Sequence, residues 1–429
     1  MKLILLTALC VLVCAKHEEY IGWKSYYVRP VSKADFKIFR AMIERYELDI
    51  LRHPISGREG IILVKPEHQA GFKQEAAAAG ISVKIHRENV KQELDFDDMR
   101  IKRHNRECFA RNGGRKLPYE SYQQIEAINN YTDYIGATYP KVAKVVDAAK
   151  SFEGRPIKYI KISTTNFENH RKPVIFIDGG IHAREWIAPP SVTYAIKKLV
   201  EDVTQKDLLD RFDWILLPVV NPDGYKFTFT KSRFWRKTRS KGQSTITQIC
   251  PGVDGNRNYD FRFGTVGSNH YACSDVYCGS QAFSEVETRV VRDILQENLS
   301  RVALYVTMHS FASVILYPWA HDGSRSHNIF DLHSVGVEMA SAIHKKSLPN
   351  FPKYIVGNSA LVLNYLASGT SIDYAHSIGI NLTYAFELPG ISEDLEGFNL
   401  SPDYIEQVVR ETWAGIVVGA RKAGDLFIK

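Results

Sequence analysis

Apolar residues along the chain follow two periodicities, and their order in the first ninety residues predicts a compact unit. Strand-like alternation and helical spacing occur in turn there, with the strand-like segments at 20–31, 60–64 and 81–86 and the helix-like ones at 33–48 and 68–79. This order predicts a small α+β open sandwich. A charged segment at 89–106 follows and predicts a connecting helix.

From residue 119 onward the pattern is larger, because short apolar runs alternate with long amphipathic segments. The predicted strands lie at 142–148, 157–163, 174–177, 214–220, 302–308, 314–317 and 381–387. The predicted helices lie at 119–139, 189–203, 285–298, 329–345 and 404–420. The alternation predicts one large α/β domain, in which a mixed, mostly parallel sheet is sandwiched between helices.

Both ends of the first unit carry signals of processing. Residues 1–15 combine Lys2, an apolar run and small residues before position 16, which predicts a cleaved signal peptide and a secreted, extracellular protein; a retained anchor is the alternative. The basic segment 100–116 contains Asn112-Gly113-Gly114, a typical site of proteolytic nicking. We expect a trypsin-like cut after Arg111, with Arg115 as second choice, although an ordinary interdomain linker has the same composition.

Composition narrows the class of protein. The 429 residues suffice for two domains, and the net charge of +7 comes from no continuous basic stripe or nucleic-acid motif. After the leader no apolar run is long enough to span a membrane. Four cysteines remain there, and an oxidising compartment favours a disulfide among Cys250, Cys273 and Cys278 without fixing the pairing. We therefore expect a monomer that binds neither nucleic acid nor membrane.

The apolar run 174–177 ends at Asp178-Gly179-Gly180 and is followed by His182 and Glu185. An imidazole and a carboxylate at this spacing can bind one zinc ion, but a catalytic zinc site takes three protein ligands. The alternative is a loop histidine beside a glutamate paired with Arg184. The end of a buried strand favours the metal site, because ligands in α/β folds bind there.

Later strands supply candidates for the missing groups. His309 directly follows the predicted strand 302–308, and Glu387 is the last residue of the predicted strand 381–387. The histidine is a reasonable third ligand and the glutamate a candidate general base, since a carboxylate is costly to bury without a purpose. A structural histidine and a buried ion pair are the alternatives.

Arginines concentrate in Phe234–Arg239 and in 252–258. Guanidinium groups match carboxylate geometry, so they suit an anionic substrate end and a developing oxyanion. Solvated surface arginines are the alternative.

Six motifs in this order resemble the secreted metallocarboxypeptidases of the A/B family: G-G-I-H-A-R-E-W, W-R-K-T-R, G-V-D-G-N-R-N, M-H-S, Y-L-A-S-G-T-S-I-D and F-E-L. The similarity covers almost the whole chain. It implies a carboxypeptidase fold, residues 16–111 as an activation pro-region and residues 112–429 as the catalytic domain. It also implies one zinc ion per catalytic domain, peptide substrates with a free C-terminal carboxylate, a trypsin-like activating protease and protein inhibitors.

The resemblance also implies residue roles. His182, Glu185 and His309 match the zinc ligands, Glu387 the general base and acid, Arg239 the group that stabilises the oxyanion, Asn256, Arg257 and Tyr365 the groups that hold the terminal carboxylate, Arg184 and Ser310 the peptide subsites, Asp254 the carboxylate that orients a ligand histidine, and Cys250 with Cys273 the disulfide.

Specificity is expected at Ile372, which matches the base of the pocket for the C-terminal side chain. An acidic residue there goes with Lys/Arg preference, whereas isoleucine implies an A-type enzyme that prefers aliphatic or aromatic ends. A B-type or acidic-specific carboxypeptidase is the first alternative. A non-catalytic secreted binding protein is the second, although such a protein is expected to lack the ligands or the base.

Overall fold

The computed structural model describes residues 16–55, 57–112, 117–390 and 397–427. The predicted signal peptide, residues 1–15, and Arg115 lie outside these ranges. The backbone of Arg111 is described, but the side chains of Arg111 and Cys108 are not. The predicted cut and the pairing of Cys108 therefore stay predictions.

The N-terminal unit is an antiparallel sheet with two helices packed on it. Its strands are β1 (Lys24–Arg29), β2 (Asp49–Arg52), β3 (Gly60–Val64) and β4 (Ser82–Arg87), and its helices are α1 (Lys33–Arg45) and α2 (Gln69–Ala78). The strand order is β2-β3-β1-β4. Ser32 and Asp35 form a capping box that starts α1, and Phe39, Met42 and Phe72 are buried against the sheet. The predicted α+β sandwich is therefore confirmed.

A long helix, α3 (Val90–Asn112), leaves this unit. It continues six residues beyond the predicted end at residue 106. Val90 and Leu94 are buried at its start, and Asp97 accepts a hydrogen bond from Asn399 Nδ2 at 2.6 Å. The helix therefore packs on both units.

The second unit is built on an eight-stranded mixed sheet. Its strands are β5 (Ala143–Lys150), β6 (Pro156–Ile162), β7 (Val174–Gly179), β8 (Asp213–Leu217), β9 (Val302–Ser310), β10 (Val314–Tyr317), β11 (Ile355–Asn358) and β12 (Thr383–Leu388). Their order is β11-β10-β12-β9-β7-β8-β6-β5. The four central strands β12, β9, β7 and β8 run parallel, as do β10 and β11, whereas the remaining pairs are antiparallel.

Helices cover both faces of this sheet. They are α4 (Ile125–Thr138), α5 (Ala188–Val200), α6 (Asp207–Arg211), α7 (Pro222–Thr230), α8 (Thr245–Ile249), α9 (Val286–Glu297), α10 (Ile329–His344), α11 (Ser359–Leu363), α12 (Ser371–Ser377) and α13 (Ile405–Phe427). Residues of α4, α5, α10 and α13 join the core on one face, and residues of α9 and α12 join the core on the other. The predicted mixed sheet between helix layers is confirmed.

The main differences from the predicted elements have local causes. The helix predicted at 119–139 begins only at Ile125, because the preceding segment forms a turn and buries Tyr119 and Tyr122 in the core. The strand predicted at 214–220 ends at Leu217, before Pro218, which has no N–H to donate to a neighbouring strand. The edge strands β2 and β11 were not predicted, since four residues with mixed polarity give no clear alternation.

Cysteine pairing follows the family expectation. A disulfide joins Cys250 to Cys273, while Cys278 is buried and free. Within the described ranges, no helix is both long and apolar enough to cross a membrane.

Candidate metal centre and substrate cleft

Three neighbouring parallel strands end at the same edge of the large sheet and carry the chemistry. Strand β7 ends at Gly179, and Gly180 turns the chain with a φ of 68°, a conformation that favours glycine. This turn leads to His182 and Glu185. His309 is the second-to-last residue of strand β9, and Glu387 lies directly opposite His309 on β12. The register of the sheet therefore places all four side chains together.

His182, Glu185 and His309 offer a set of donor atoms that lie within 4.8 Å of one another. Glu185 Oε1 is 2.7 Å from His182 Nδ1, and its Oε2 is 3.0 Å from His309 Nδ1. The two Nδ1 atoms are 3.1 Å apart. All three side chains are buried. Two imidazoles and one carboxylate form the kind of open three-ligand set that catalytic zinc takes.

Nε2 of each histidine, the ring nitrogen on the side away from Glu185, contacts a neighbouring side chain. His182 Nε2 donates to Asp254 Oδ1 at 3.1 Å, and His309 Nε2 lies 3.2 Å from Thr307 Oγ1. Ligand histidines are generally fixed in this way, with the metal-binding nitrogen left unprotonated. The donor set and its supports therefore fit a zinc ion.

Asp254 also fixes the surroundings of His182. Its Oδ2 accepts two hydrogen bonds from Arg236, and its Oδ1 accepts one from the backbone N–H of Asn256 at 2.9 Å. Burial alone would raise the pKa of Asp254, but Arg236 and His182 hold this pKa well below its usual value. The carboxylate is thus anionic and joins His182 to Arg236.

Glu387 lies beside the ligand set and is only partly exposed, inside the cleft. Burial, and next the negative charge of Glu185, raise the pKa of Glu387 to about 8. A bound cation opposes both effects. A carboxylate with a raised pKa next to a metal site has the properties of a general base.

The structure corrects the position expected for Arg239. Its guanidinium packs 3.8 Å from the centre of the Phe227 ring and 4.6 Å from that of Trp235, and its Nε lies 3.5 Å from Glu153. Arg239 does not line the cleft, whereas Arg236 does. Nε and Nη2 of Arg236 donate hydrogen bonds to Asp254. Among the described residues, Nη1 of Arg236 has no hydrogen-bond partner.

Asn256, Arg257 and Tyr365 also line the cleft. Asn256 Oδ1 accepts from the backbone N–H of Ser371 at 2.9 Å, which leaves the amide nitrogen as the free donor. Arg257 Nε and Tyr365 Oη both donate to the carbonyl oxygen of Gly267 at 2.7 Å. Gly267 has a φ of 58°, and a Cβ there would lie 1.7 Å from the Leu366 oxygen. This backbone position therefore requires glycine and orients two cleft residues at once.

One part of the cleft is apolar. Ile372 is only 3% exposed and belongs to one apolar cluster with Val314, Leu316 and Ala385. Leu316, Ile372 and Ala385 line the cleft. Among the described residues that line it, Glu185 and Glu387 are the sole carboxylates.

The N-terminal unit covers the cleft. Asp49 Oδ1 and Oδ2 accept hydrogen bonds from Arg184 Nη1 at 2.8 and 3.0 Å, so this predicted subsite residue is held by the other unit. The ring of His53 lies 4.9 Å from the ring of Tyr365, measured between centroids. Burial, and next the charges of Arg236 and Arg257, lower the pKa of His53 to about 3. His53 is therefore neutral at neutral pH.

Of the remaining predicted residues, Ser310 lines the cleft, and its hydroxyl is buried without a hydrogen-bond partner in the described part of the chain. No sequence signal distinguishes Arg236, Thr307, Gly267, Asp49 or His53 as site residues. Arg236 lies in the motif W-R-K-T-R, but both arginines of this motif fit the same description.

The fold and the site together define a metal-dependent hydrolase with an N-terminal covering domain. The profile described as "Zinc carboxypeptidase" matches residues 128–415, and the profile described as "Carboxypeptidase activation peptide" matches residues 26–96. The chain belongs to the zinc carboxypeptidase family and has the layout of its zymogens.

Similar proteins agree with this membership. The chain is 64% identical over 429 residues to Carboxypeptidase B of Helicoverpa zea, with complete coverage of both chains. The crystal structure of the carboxypeptidase A from Helicoverpa armigera superposes with a TM-score of 0.91 at 40% identity, covering 95% of this chain and 99% of that one. Bovine thrombin-activatable fibrinolysis inhibitor, solved in complex with a tick carboxypeptidase inhibitor, matches 72% of this chain and 99% of its own length, with 31% identity and a TM-score of 0.65.

Proposed function

We propose that this zymogen, once its N-terminal domain is removed, hydrolyses the C-terminal residue of peptides and prefers aliphatic or aromatic side chains at that residue. The observation that carries the proposal is the composition of the cleft. The cleft combines donors for a terminal carboxylate, a metal-ligand set and residues of an apolar cluster that contains Ile372.

Recognition of the chain end rests on Asn256 and Arg257. The Asn256 amide nitrogen is left free by the Ser371 contact, and Arg257 keeps Nη2 without a partner among the described residues after Gly267 and the Asn256 carbonyl have taken Nε and Nη1. A planar guanidinium and an amide suit a carboxylate better than an internal peptide group. Peptides are therefore cut only at the last residue.

His182, Glu185 and His309 would hold a zinc ion as its three protein ligands. Bound there, zinc supplies Lewis acidity, which polarises the scissile carbonyl and acidifies water. Glu387 takes the proton of the attacking water and passes it to the leaving amine. Arg236 directs Nη1 toward the carbonyl oxygen as negative charge develops on it, because Asp254 fixes the other two guanidinium nitrogens.

The preference for apolar C-terminal side chains follows because the described residues that line the cleft offer no free carboxylate to pair with a basic one. A lysine or arginine side chain in the cleft would need a carboxylate partner, and Glu185 and Glu387 are both used in the metal and proton chemistry. A buried unpaired charge is unfavourable by several kcal/mol, whereas an apolar side chain gains by leaving water.

A basic-specific enzyme is the second candidate, and one observation favours it. The relative with 64% identity carries the name Carboxypeptidase B. If this chain shares that specificity, its counter-charge lies elsewhere than at Ile372.

Latency follows from the contacts of the N-terminal unit. Asp49 holds Arg184, while His53 packs on Tyr365, so a peptide cannot reach either residue. We place the domains at 16–111 and 112–429, with activation by a trypsin-like protease after Arg111 or Arg115. Protein inhibitors of the activated enzyme are further expected partners, as in the bovine relative solved with its tick inhibitor.

A Glu387→Gln variant separates an enzyme from a binding protein. We expect it to keep one zinc per chain and to lose about 100- to 10,000-fold in kcat after trypsin treatment, because the amide cannot accept the proton. Metal analysis and peptide hydrolysis measure the two quantities. Full turnover by this variant would exclude Glu387 as the base, and an inactive wild-type protein that holds zinc would favour the non-catalytic alternative.

The two arginines of the W-R-K-T-R motif give a matched pair of variants. We expect Arg236→Gln to lower kcat about 100- to 1000-fold, as the loss of one oxyanion donor does. Arg239→Gln should stay within about threefold of the wild type, since Arg239 lies outside the cleft. Zinc content is measured in both, so that a metal loss is not read as lost oxyanion binding. The reverse order of the two effects would restore the role first assigned to Arg239.

Specificity is tested with peptides that end in Phe, Leu, Lys or Glu. We expect the wild type to favour Phe and Leu, and we expect Ile372→Asp to lower kcat/KM for Leu about 5- to 150-fold, the effect of about 1–3 kcal/mol from a buried unpaired polar group. Ile372→Val serves as the control that keeps the pocket apolar. A wild type that favours Lys would establish the basic-specific alternative.

Latency is tested on the uncut protein. We expect Asp49→Asn to raise the residual activity at least about fivefold, because the neutral amide holds Arg184 less strongly by about 1 kcal/mol. Glu75→Gln is the matched control, since Glu75 pairs with Arg45 inside the N-terminal unit.

Trypsin should release from the wild type a fragment that ends at Arg111 or Arg115, identified by mass spectrometry. Full activity of the uncut wild type would contradict the zymogen assignment.

A further inference from the structure

A buried chain of hydroxyl and carboxylate groups leads away from the metal ligands under strand β9. Thr307 Oγ1 lies 3.2 Å from His309 Nε2 and 2.7 Å from Asp178 Oδ1. Tyr305 Oη donates to Asp178 Oδ2 at 2.7 Å. Asp178, Tyr305, Thr307 and His309 are each no more than 1% exposed. The register of the sheet pairs Asp178 on β7 with Thr307 on β9, so these contacts are built into the fold.

The direction of these hydrogen bonds decides which nitrogen of His309 carries its proton. A threonine hydroxyl has one hydrogen, and the carboxylate of Asp178 can only accept. The hydrogen of Thr307 therefore points to Asp178, and toward His309 the oxygen presents a lone pair. Nε2 of His309 must then be the protonated nitrogen, which leaves Nδ1 unprotonated on the side of Glu185 and His182.

The direction of these hydrogen bonds depends on an anionic Asp178. Burial raises the pKa of Asp178 to about 6, while the hydroxyls of Thr307 and Tyr305 oppose that rise. The carboxyl group is thus ionised at neutral pH and accepts from both hydroxyls.

We propose that Thr307, backed by Asp178 and Tyr305, is the positioning residue that holds His309 in the tautomer able to bind zinc. Asp254 contacts Nε2 of His182 directly, whereas Asp178 is linked to Nε2 of His309 through the Thr307 hydroxyl. Thr307 contacts neither the metal nor the substrate. The inference rests on the metal site and does not depend on which C-terminal residue the enzyme removes.

The test measures zinc affinity of the full chain by competition in metal buffers, a quantity independent of turnover. Thr307→Val keeps the shape of the side chain and removes the hydroxyl. We expect it to weaken zinc binding about 10- to 100-fold, the usual effect of losing such a support. Thr307→Ser keeps the hydroxyl and should bind zinc within about threefold of the wild type.

Thr383→Val is the matched control. Thr383 is buried on the adjacent strand β12, and its hydroxyl donates to the Ile372 carbonyl, away from the ligands. This variant loses a buried hydroxyl in the same sheet, so it reports general loosening, and we expect wild-type zinc affinity. A wild-type affinity in Thr307→Val, or an equal loss in Thr307→Val and Thr383→Val, would overturn the proposal.

A measurement on the wild type covers the case in which Thr307→Val does not fold. In the zinc-loaded protein labelled with 15N-histidine, we expect the NMR signals of His309 to show a proton on Nε2. These signals should be lost only when the protein unfolds. A protonated Nδ1 at His309 would overturn the proposal. Because zinc content is read separately from peptide hydrolysis, a failed specificity test leaves this result unaffected.

Discussion

The parallel alignment of strands β7, β9 and β12 is the constraint on which the site depends. Parallel neighbours end at the same edge of a sheet, so residues far apart in the chain meet there. His182 follows β7, and His309 and Glu387 face each other across β9 and β12. A shift of one residue in the pairing of β9 with β12 would turn His309 or Glu387 to the opposite face of the sheet. The large cores on both faces of the sheet therefore also stabilise the geometry of the metal site.

Shared hydrogen-bond acceptors surround the candidate metal site. Buried polar groups must find partners, and here each partner serves a second group. Asp254 binds both His182 and Arg236, while the Gly267 carbonyl binds both Arg257 and Tyr365. Shared acceptors leave little freedom to individual side chains, so binding a peptide requires little further ordering.

Sequence patterns predicted the elements and part of the site, and the reasons for the gaps are physical. Glycines and a strand end mark His182 and Glu185, and a carboxylate after an apolar run marks Glu387. His309 could be proposed as a ligand only because it ends a buried strand; its distance from the others depends on strand order. Arg236 and Arg239 are indistinguishable in the motif, since the backbone course after Phe234 decides which one faces the cleft.

Contacts between the two units could not be predicted from the sequence. Asp49 lies on an edge strand too short to be recognised, and its value as a partner of Arg184 arises only when the units dock. Likewise, Leu316 and Ala385 look like any core residues in the sequence, although in the structure they line the cleft.

The disulfide between Cys250 and Cys273 joins the ends of a segment that contains Asp254, Asn256, Arg257 and Gly267. Every group that we assign to the terminal carboxylate, apart from Tyr365, thus belongs to one covalently closed loop, and Tyr365 is attached to it through Gly267. A closed loop has fewer conformations available when its contacts loosen. The ability to distinguish the end of a peptide from its middle is therefore tied to an oxidising environment, in which this loop stays closed.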